Sequence, residues 1–235
     1  MSNTTLHNEN VSVTLKSLGA ELTSIKDASG TEYLWQGNPE FWSGQAPVLF
    51  PIVGCLRNGT ATIGDNKTCS FGRHGLARRL EFDLVSSSDT SVTYSLKAND
   101  KTKEQYPYDF ELQMTYELTE HGVKVSHTVI NHDSVVMPYC VGGHPAFNCP
   151  VFENESFEDY IVEFEQPENA ACAQLTEDGL INNADRVSVL ENEAVIPVRH
   201  SLFYKDALVF DALKSRKVAL KHKKTGHGIL VSFPD

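Results

Sequence analysis

Apolar and polar residues alternate along two neighbouring segments near the middle of the chain. Residues 110–118 and 123–131 show this period of two on either side of a Glu-His-Gly turn at 120–122. Alternate residues of a strand point to opposite faces of a sheet, so the pattern predicts a β-hairpin. His127 shares a face with three valines of the second strand, which predicts a core or cleft-wall residue rather than a catalyst.

Similar short segments recur along the chain, separated by residues that favour turns. Strand-like segments occupy residues 11–15, 22–25, 32–35, 92–96, 160–164, 171–175, 186–190, 218–221 and 228–233, and residues 202–210 are apolar around Lys-Asp. Helical features are limited to a short helix start at 38–42, with Asn before Pro, and one turn at 101–105. Many short strands with closely spaced turns predict an all-β chain, folded as one antiparallel sandwich or barrel.

Composition and charge narrow the classes of partner. The 235 residues are 40% hydrophobic and 22% charged, as in ordinary globular proteins. The formal net charge of −11 disfavours nucleic acid and anionic membranes as partners, because both are polyanions. No apolar stretch is long enough to span a bilayer, no signal peptide is recognisable, and the five cysteines are irregularly spaced, which predicts a reduced, cytoplasmic protein. The oligomeric state stays open, with a homodimer among the alternatives.

Candidate chemistry concentrates in the segment VGGHPAFN at residues 141–148. Two glycines allow a sharp turn or a close approach to a ligand, and the proline after His144 fixes the backbone. A histidine held rigidly at a strand end can give or take a proton near neutral pH. The alternative is a glycine-rich turn with a solvated histidine.

Two further glycine-rich loops carry cationic side chains. Arg57 lies in a loop bracketed by glycines at 54–59, and His74 lies between Arg73 and Arg78 in the loop at 70–79. Three such loops together indicate a cleft for a hydroxyl-rich or anionic small molecule, because guanidinium and imidazole groups donate hydrogen bonds to ligand oxygens. Asp206 is a candidate carboxylate partner in that cleft, with a simple turn residue as the alternative.

Standard metal and cofactor signatures are absent from the sequence. It has no P-loop, no G-x-G-x-x-G and no H-E-x-x-H. Cys140, His144 and Cys149 have a spacing that fits no usual zinc site and lack a fourth ligand, so we predict no metal.

The loops, taken in order, resemble a known family. The segments PIVGCLRNG at 51–59, GRHGLAR at 72–78 and GHPAF at 143–147 are similar to those of the aldose 1-epimerases, also called galactose mutarotase-like proteins, and more narrowly to their LacX-like branch. The segments LGAELTSI at 18–25 and YLWQGN at 33–38 match as well. The resemblance covers nearly the whole chain.

This resemblance implies a large antiparallel β-sandwich, as a single domain over residues 1–235, with a sugar bound in an open groove on one sheet. It implies the interconversion of the α and β anomers of an aldose without a cofactor. The positioning arginine of the family falls on Arg57, its first histidine on His74 and its proton-donating histidine on His144. The aspartate that binds sugar hydroxyls falls on Asp206, with Asp211 as the second choice.

The sequence departs from the family pattern at the general base. In the family this base is a glutamate on a strand close to the C-terminus, whereas no glutamate follows Glu193 here. We therefore expect a chain that lacks its C-terminal strands and mutarotates poorly, while a version extended to the family's full length would be active. Two alternatives stay open: a hexose-6-phosphate 1-epimerase in which Arg73 and Arg78 or Arg79 hold the phosphate, and a sugar-binding protein without catalysis.

Overall fold

The regular structure of the chain is nearly all antiparallel β-sheet. The computed structural model describes residues 2–64 and 66–233. Its strands are β1 (Asn3–His7), β2 (Val11–Lys16), β3 (Glu21–Asp27), β4 (Val48–Leu49), β5 (Thr60–Ile63), β6 (Lys67–Ser70), β7 (Asp83–Ser87), β8 (Ser91–Lys97), β9 (Phe110–Leu118), β10 (Val123–Asn131), β11 (Gly142–Gly143), β12 (Tyr160–Leu175), β13 (Ile181–Pro197), β14 (Lys217–His222) and β15 (Gly228–Ser232). The all-β, antiparallel prediction is confirmed.

Helical structure in the described residues is short. It comprises the α-helix α1 (Asp100–Gln105) and the 3-10 helices Arg57–Gly59, Ala77–Arg79, Phe157–Asp159 and His200–Phe203. The predicted turn at 101–105 is confirmed as α1, which begins with a capping box between Asn99 and Thr102. Among the described residues, no helix has the length and apolar character needed to cross a bilayer.

The chain divides into two compact units, Met1–Ala146 and Phe147–Asp235. In the first, the strand orders are β1-β2-β3 and β10-β9-β8-β7, with the two-stranded ribbons β5-β6 and β11-β4. β2 shows why this unit has a core: every second residue is buried, so one face of the strand is apolar. The predicted hairpin is confirmed as β9-β10, paired along its whole length. The single domain over residues 1–235 stays a prediction.

Buried aromatic side chains fill part of the core of the first unit. Phe50 packs with its ring centroid 5.9 Å from that of Tyr106 and 5.1 Å from that of Phe110, and Tyr106 packs 4.9 Å from Tyr108. All four residues are fully or almost fully buried. Each such side chain stabilises the fold by roughly 2–3 kcal/mol through the apolar surface removed from water. Phe50 also lies at the start of the loops that carry the candidate site.

The second unit is built on one sheet with the strand order β13-β12-β14-β15. β12 and β13 are 16 and 17 residues long, and four register shifts interrupt their pairing. Phe164, Leu190 and Ile196 form the buried cluster of this unit. β14 and β15 form a hairpin in which the backbone N–H of Gly226 donates to the carbonyl of His222 at 3.0 Å.

Two local expectations have a more detailed outcome. The helix start predicted at 38–42 is wrong: the segment is one turn. The side chain of Asn38 accepts a hydrogen bond from the backbone N–H of Glu40, and its carbonyl accepts from those of Phe41 and Trp42. His127 is half-buried on β10, and burial lowers its pKa. Its Nε2 atom has no hydrogen-bond partner within residues 2–64 and 66–233, which fits a wall residue.

Candidate active site

His74 is held in the left-handed region of the backbone by the loop that contains it. Its φ is +69°, and the following Gly75 has a φ of +76°. A Cβ at position 75 would lie 2.2 Å from the carbonyl oxygen of Phe50, so only glycine fits there. The backbone N–H groups of Leu76 and Ala77 both donate to that same oxygen, at 2.9 and 3.2 Å. The loop is thereby fixed to the aromatic core, and the strained histidine is kept in place.

Gly54 fixes the orientation and the tautomer of the His74 ring. The backbone N–H of Gly54 donates to His74 Nδ1 at 3.0 Å, and the backbone N–H of His74 donates to the carbonyl of Gly54 at 2.8 Å. Because Nδ1 accepts a hydrogen bond, the proton of the neutral ring resides on Nε2. His74 therefore presents an N–H donor on the side of the ring away from Gly54.

His144 follows β11, which pairs with β4. Its backbone N–H donates to the carbonyl of Pro47 at 3.1 Å, and the N–H of Ala146 donates to the carbonyl of Gln45 at 2.9 Å. The short ribbon continues in this way past the two glycines and holds the histidine at its end. The side chain itself is exposed, so a ligand can reach it.

The two imidazoles lie side by side. The ring centroids of His74 and His144 are 5.4 Å apart, and the ring of Trp42 lies 5.2 Å from that of His144 on a tilted plane. Residues that are 70 positions apart in the chain thus meet at one place in the first unit. Trp42 was not singled out in the sequence, because an aromatic residue after a proline turn carries no periodic signal.

The local electrostatics keep His74 neutral. Burial, followed by the charges of His144, Arg78 and Arg73, lowers the pKa of His74 from 6.5 to about 4. At neutral pH this ring is therefore an uncharged hydrogen-bond donor and has no second proton to transfer.

The arginines differ in how they are held. Arg57 is exposed at the start of a 3-10 helix, and its side chain has no partner among the residues that the structure describes. The Arg73 Nε atom donates to Cys55 Sγ at 3.3 Å. Burial, followed by the charge of Arg79, lowers the pKa of Arg78. Arg57 is thus available for a ligand, and Arg73 and Arg78 add positive potential beside His74.

The two candidate aspartates lie in the second unit and differ from each other. Asp206 is an exposed turn residue with a φ of +73°, and within the described chain no side chain pairs with its carboxylate. It lines a pocket with a volume of about 540 Å³ within this unit, together with Arg199, Tyr204 and Lys205. Asp211 forms a two-pronged ion pair with Arg186, at 2.6 and 3.0 Å. Asp206 is the carboxylate that is free to bind a ligand.

One group of side chains brings three potential metal ligands close together. Among residues 2–64 and 66–233, the only three or more His, Cys, Asp or Glu side chains with ligand atoms within 4.8 Å of one another are Glu155, His222 and His227. This group belongs to the second unit. The sequence did not indicate it, because 67 residues separate the carboxylate from the first histidine.

Comparison with known proteins is consistent with this architecture. Protein LacX of Lactococcus lactis subsp. lactis, in its plasmid form, is 44% identical over 236 residues, which is 98% of this chain and 79% of that protein. A solved galactose mutarotase-related enzyme from Lactobacillus acidophilus superposes with a TM-score of 0.88 at 33% identity, over 95% of this chain and 74% of that one. A galactose mutarotase-like protein from Lactobacillus casei also superposes at 0.88, with 30% identity over 98% and 79% of the two chains.

A family model supports the same assignment. The model described as aldose 1-epimerase matches residues 2–235. The family resemblance inferred from the loop motifs is therefore confirmed, as is the galactose mutarotase-like fold. By this match and by its relatives, the chain belongs to the aldose 1-epimerase family.

Proposed function

We propose that this chain is an isomerase that binds a hexose at His74 and His144 and interconverts its α and β anomers. The observation that carries the proposal is the pair of imidazoles 5.4 Å apart, of which one is held neutral. Membership of the aldose 1-epimerase family supports the same reaction class and a sugar as the small-molecule partner. The names of the solved relatives, galactose mutarotase-related and galactose mutarotase-like, support a hexose.

The reaction needs one acid, one base and fixed positions for the sugar oxygens. His144 protonates the ring oxygen while the C1 hydroxyl gives its proton to a solvent water that acts as the base, the bond between C1 and the ring oxygen breaks, and an open-chain aldehyde forms. Rotation about the C1–C2 bond and reclosure give the other anomer. The Nε2–H group of His74 holds the ring oxygen by a hydrogen bond. No electrons leave or enter the sugar, so the balance requires no cofactor.

Arg57 binds sugar hydroxyls in this proposal, and a role in sugar binding for Asp206, in the second unit, stays a prediction. A guanidinium donates to hydroxyl oxygens and a carboxylate accepts from hydroxyl groups, and neither side chain is engaged elsewhere in the described residues. Correct placement matters because small misplacements of reacting atoms are costly. A second candidate, a protein that binds the sugar without turnover, is favoured by the charges that act on His74, which are those of His144, Arg78 and Arg73 and include no carboxylate that could serve as the base.

The test is NMR exchange spectroscopy between the anomers of glucose and galactose. We expect His144→Asn to slow exchange at least about 100-fold, as loss of a general acid does. His121→Asn is the control, because this exposed histidine contacts only its neighbour Glu120 in the described structure. Equal rates for wild type and His144→Asn would show that the assigned acid is wrong. Saturable binding of sugar by calorimetry, with no rate enhancement in wild type, would favour the binding protein.

The same screen with hexose 6-phosphates addresses the phosphorylated alternative. Arg73 and Arg78 both act on His74 through their charge, which is the observation that favours an anionic group beside it. If they hold a phosphate, Arg78→Glu abolishes turnover of the phosphosugar and spares that of the free sugar. If both rates fall equally, Arg78 supports the loop rather than a phosphate.

A further inference from the structure

We propose that Glu155, His222 and His227 form a binding site for one zinc ion in the second unit. The Nε2 atom of His227 lies 3.1 Å from Glu155 Oε1, and the Nε2 atom of His222 lies 4.0 Å from the same oxygen. A tetrahedral zinc ion with bonds of about 2.0–2.1 Å spaces its ligand atoms about 3.4 Å apart. The three groups therefore need shifts on the order of 1 Å to reach ligand distances.

The backbone brings the three ligands together from two places. His222 ends β14 and His227 precedes β15, so both lie at the turn of one hairpin. Their rings are nearly parallel, at 11°, with centroids 5.1 Å apart. Glu155 lies in the loop before β12, and its carboxylate accepts a hydrogen bond from the hydroxyl of Tyr160. A metal here would link the loop to the hairpin.

The site is sheltered from solvent. The side chains of His222, Glu155 and His227 are 10%, 12% and 22% exposed. A mostly buried carboxylate is costly unless charge or hydrogen bonds compensate it. The hydroxyl of Tyr160 and the ring of His227 supply such hydrogen bonds to Glu155. A divalent cation would replace the bond from His227 with a full opposite charge, and the two imidazoles would serve as ligands without adding charge.

A second layer of contacts orients the ligands. The hydroxyl of Thr225 lies 2.9 Å from His222 Nδ1 and 2.6 Å from His227 Nδ1. A hydroxyl oxygen has two lone pairs, so it can accept from both Nδ1–H groups at once. Both Nε2 lone pairs are then directed to the metal, which is the usual arrangement behind zinc-bound histidines. Tyr160, whose hydroxyl also accepts from the backbone N–H of Val151 at 2.9 Å, holds the carboxylate.

Metal binding requires a change of tautomer at both histidines. The Nε2 atom of His227 lies 3.1 and 3.2 Å from the two carboxylate oxygens of Glu155, so it carries the ring proton there. The backbone N–H groups of Lys224 and Thr225 point at His222 Nδ1 from 3.3 and 3.2 Å. These contacts favour a proton on Nε2, which zinc must displace and which then moves to Nδ1. Both bonds are long and therefore weak, so the bonds to the metal outweigh them. The tautomer change is itself a measurable signature.

The ligand set selects the metal. Two imidazoles and one carboxylate match zinc sites with an open fourth position. Calcium and magnesium prefer sites made of oxygen ligands only. Cobalt(II) is a spectroscopic probe for the same geometry.

The test is titration of the EDTA-treated full chain with Zn²⁺ by calorimetry. We expect one equivalent bound by wild type, weakening of more than about 100-fold in Glu155→Gln and in His227→Gln, and about 10- to 100-fold in Thr225→Val. His121→Gln is the matched control and should bind as wild type does. Co²⁺ should give the intense visible absorption of a tetrahedral site in wild type and lose it in Glu155→Gln.

Imidazole NMR of wild type makes the test independent of variant folding. Addition of Zn²⁺ should move the ¹⁵N signals of His222 and His227, with the ring proton of each passing from Nε2 to Nδ1, and leave the other histidines unchanged. Zinc dissociation constants above about 1 mM, equal binding by Glu155→Gln, or shifts at other histidines only would overturn the proposal. The three groups would then be a hydrogen-bonded cluster that braces the hairpin.

Discussion

The backbone N–H of Gly54 donates to Nδ1 of His74 across 3.0 Å, and the backbone N–H of His74 donates back to the Gly54 carbonyl at 2.8 Å. This reciprocal pair joins two loops that are 20 residues apart. It determines which nitrogen of the ring carries the proton, and therefore which atom can face a substrate. The role that we propose for His74, a neutral donor to the ring oxygen, depends on this pair.

Replacement of His74 by Asn tests that role. Asn tolerates the left-handed backbone of position 74 but does not carry an imidazole N–H to the ring oxygen. We expect kcat/KM for anomer exchange to fall about 100-fold, in line with the loss of one hydrogen-bond donor to a developing charge. The measurement is NMR exchange spectroscopy on glucose and galactose. A His74→Asn protein with the wild-type rate would show that His74 is a structural residue only.

The lowered pKa of His74 predicts a dependence of stability on pH. In the unfolded chain the ring takes up a proton below about pH 6.5, whereas in the folded chain it does so only near pH 4. Between these values the unfolded state binds more protons, so stability falls as the pH falls through this window. The ring is partly exposed, which limits the effect to on the order of 1 kcal/mol.

The measurement for this pH effect is urea unfolding at pH 7.5 and at pH 4.5. Wild type should lose more stability between the two values than His74→Asn does, because the variant lacks the titrating ring. Other histidines and carboxylates contribute equally to both proteins and cancel in the comparison. Identical losses in the two proteins would contradict the lowered pKa.

Gly75→Ala tests the anchoring of the His74 loop. The added Cβ would lie 2.2 Å from the carbonyl oxygen of Phe50 in a left-handed backbone, so we expect a loss of at least about 2 kcal/mol in the free energy of unfolding. Gly72→Ala is the matched control in the same loop, since its Cβ would meet no atom within 4 Å. The control should change stability by less than about 0.5 kcal/mol in urea unfolding. Equal losses in the two variants would refute a specific contact at Gly75.

Glu21 supports the segment that holds His144. Its buried carboxylate accepts from the backbone N–H groups of Gln45 and Ala46, at 3.0 and 2.9 Å, and pairs with Lys16 at 2.6 Å. Glu21→Ala removes all three interactions and leaves the buried N–H of Ala46 and the half-buried N–H of Gln45 unsatisfied. We therefore expect a loss of about 3 kcal/mol.

The control for Glu21 is Glu117→Ala, which removes an exposed pair with Lys124 at 3.2 Å. Thermal and urea unfolding should show little change in this control, because exposed pairs contribute about 0–1 kcal/mol. If Glu21→Ala is as stable as the control, the segment at Gln45 and Ala46, which pairs with Ala146 beside His144, is held by other contacts. Anomer exchange measured on the same variants reports whether the loss of these contacts also displaces His144.

Predictability from sequence differed between the sheets. The hairpin of β9 and β10 has the predicted bounds, because its alternation is regular and a glycine marks the turn. β12 and β13 were read as shorter separate segments, since register shifts interrupt their pairing and β13 exposes polar and apolar residues alike. A strand that is held mainly by pairing with its neighbour in the sheet need not show a regular alternation of apolar and polar residues, so its full length cannot be read from the sequence.

Predictability of the site was limited in a similar way. Glycines beside His74 and His144 indicated rigid loops, and the structure places these two rings together. The contact of Trp42 with His144 and the group of Glu155, His222 and His227 depend on which distant segments pair, and no spacing in the sequence encodes that. The roles of Arg57 and Asp206 stay predictions.

Phe50 anchors the core and the site at once. Its ring packs against Tyr106 and Phe110, while its carbonyl receives the N–H groups of Leu76 and Ala77. Because Phe50 belongs to the core and also anchors the His74 loop, we expect this loop to unfold together with the aromatic cluster and not before it. On heating, the amides of this loop should lose protection from hydrogen exchange in the same cooperative step as those of β9.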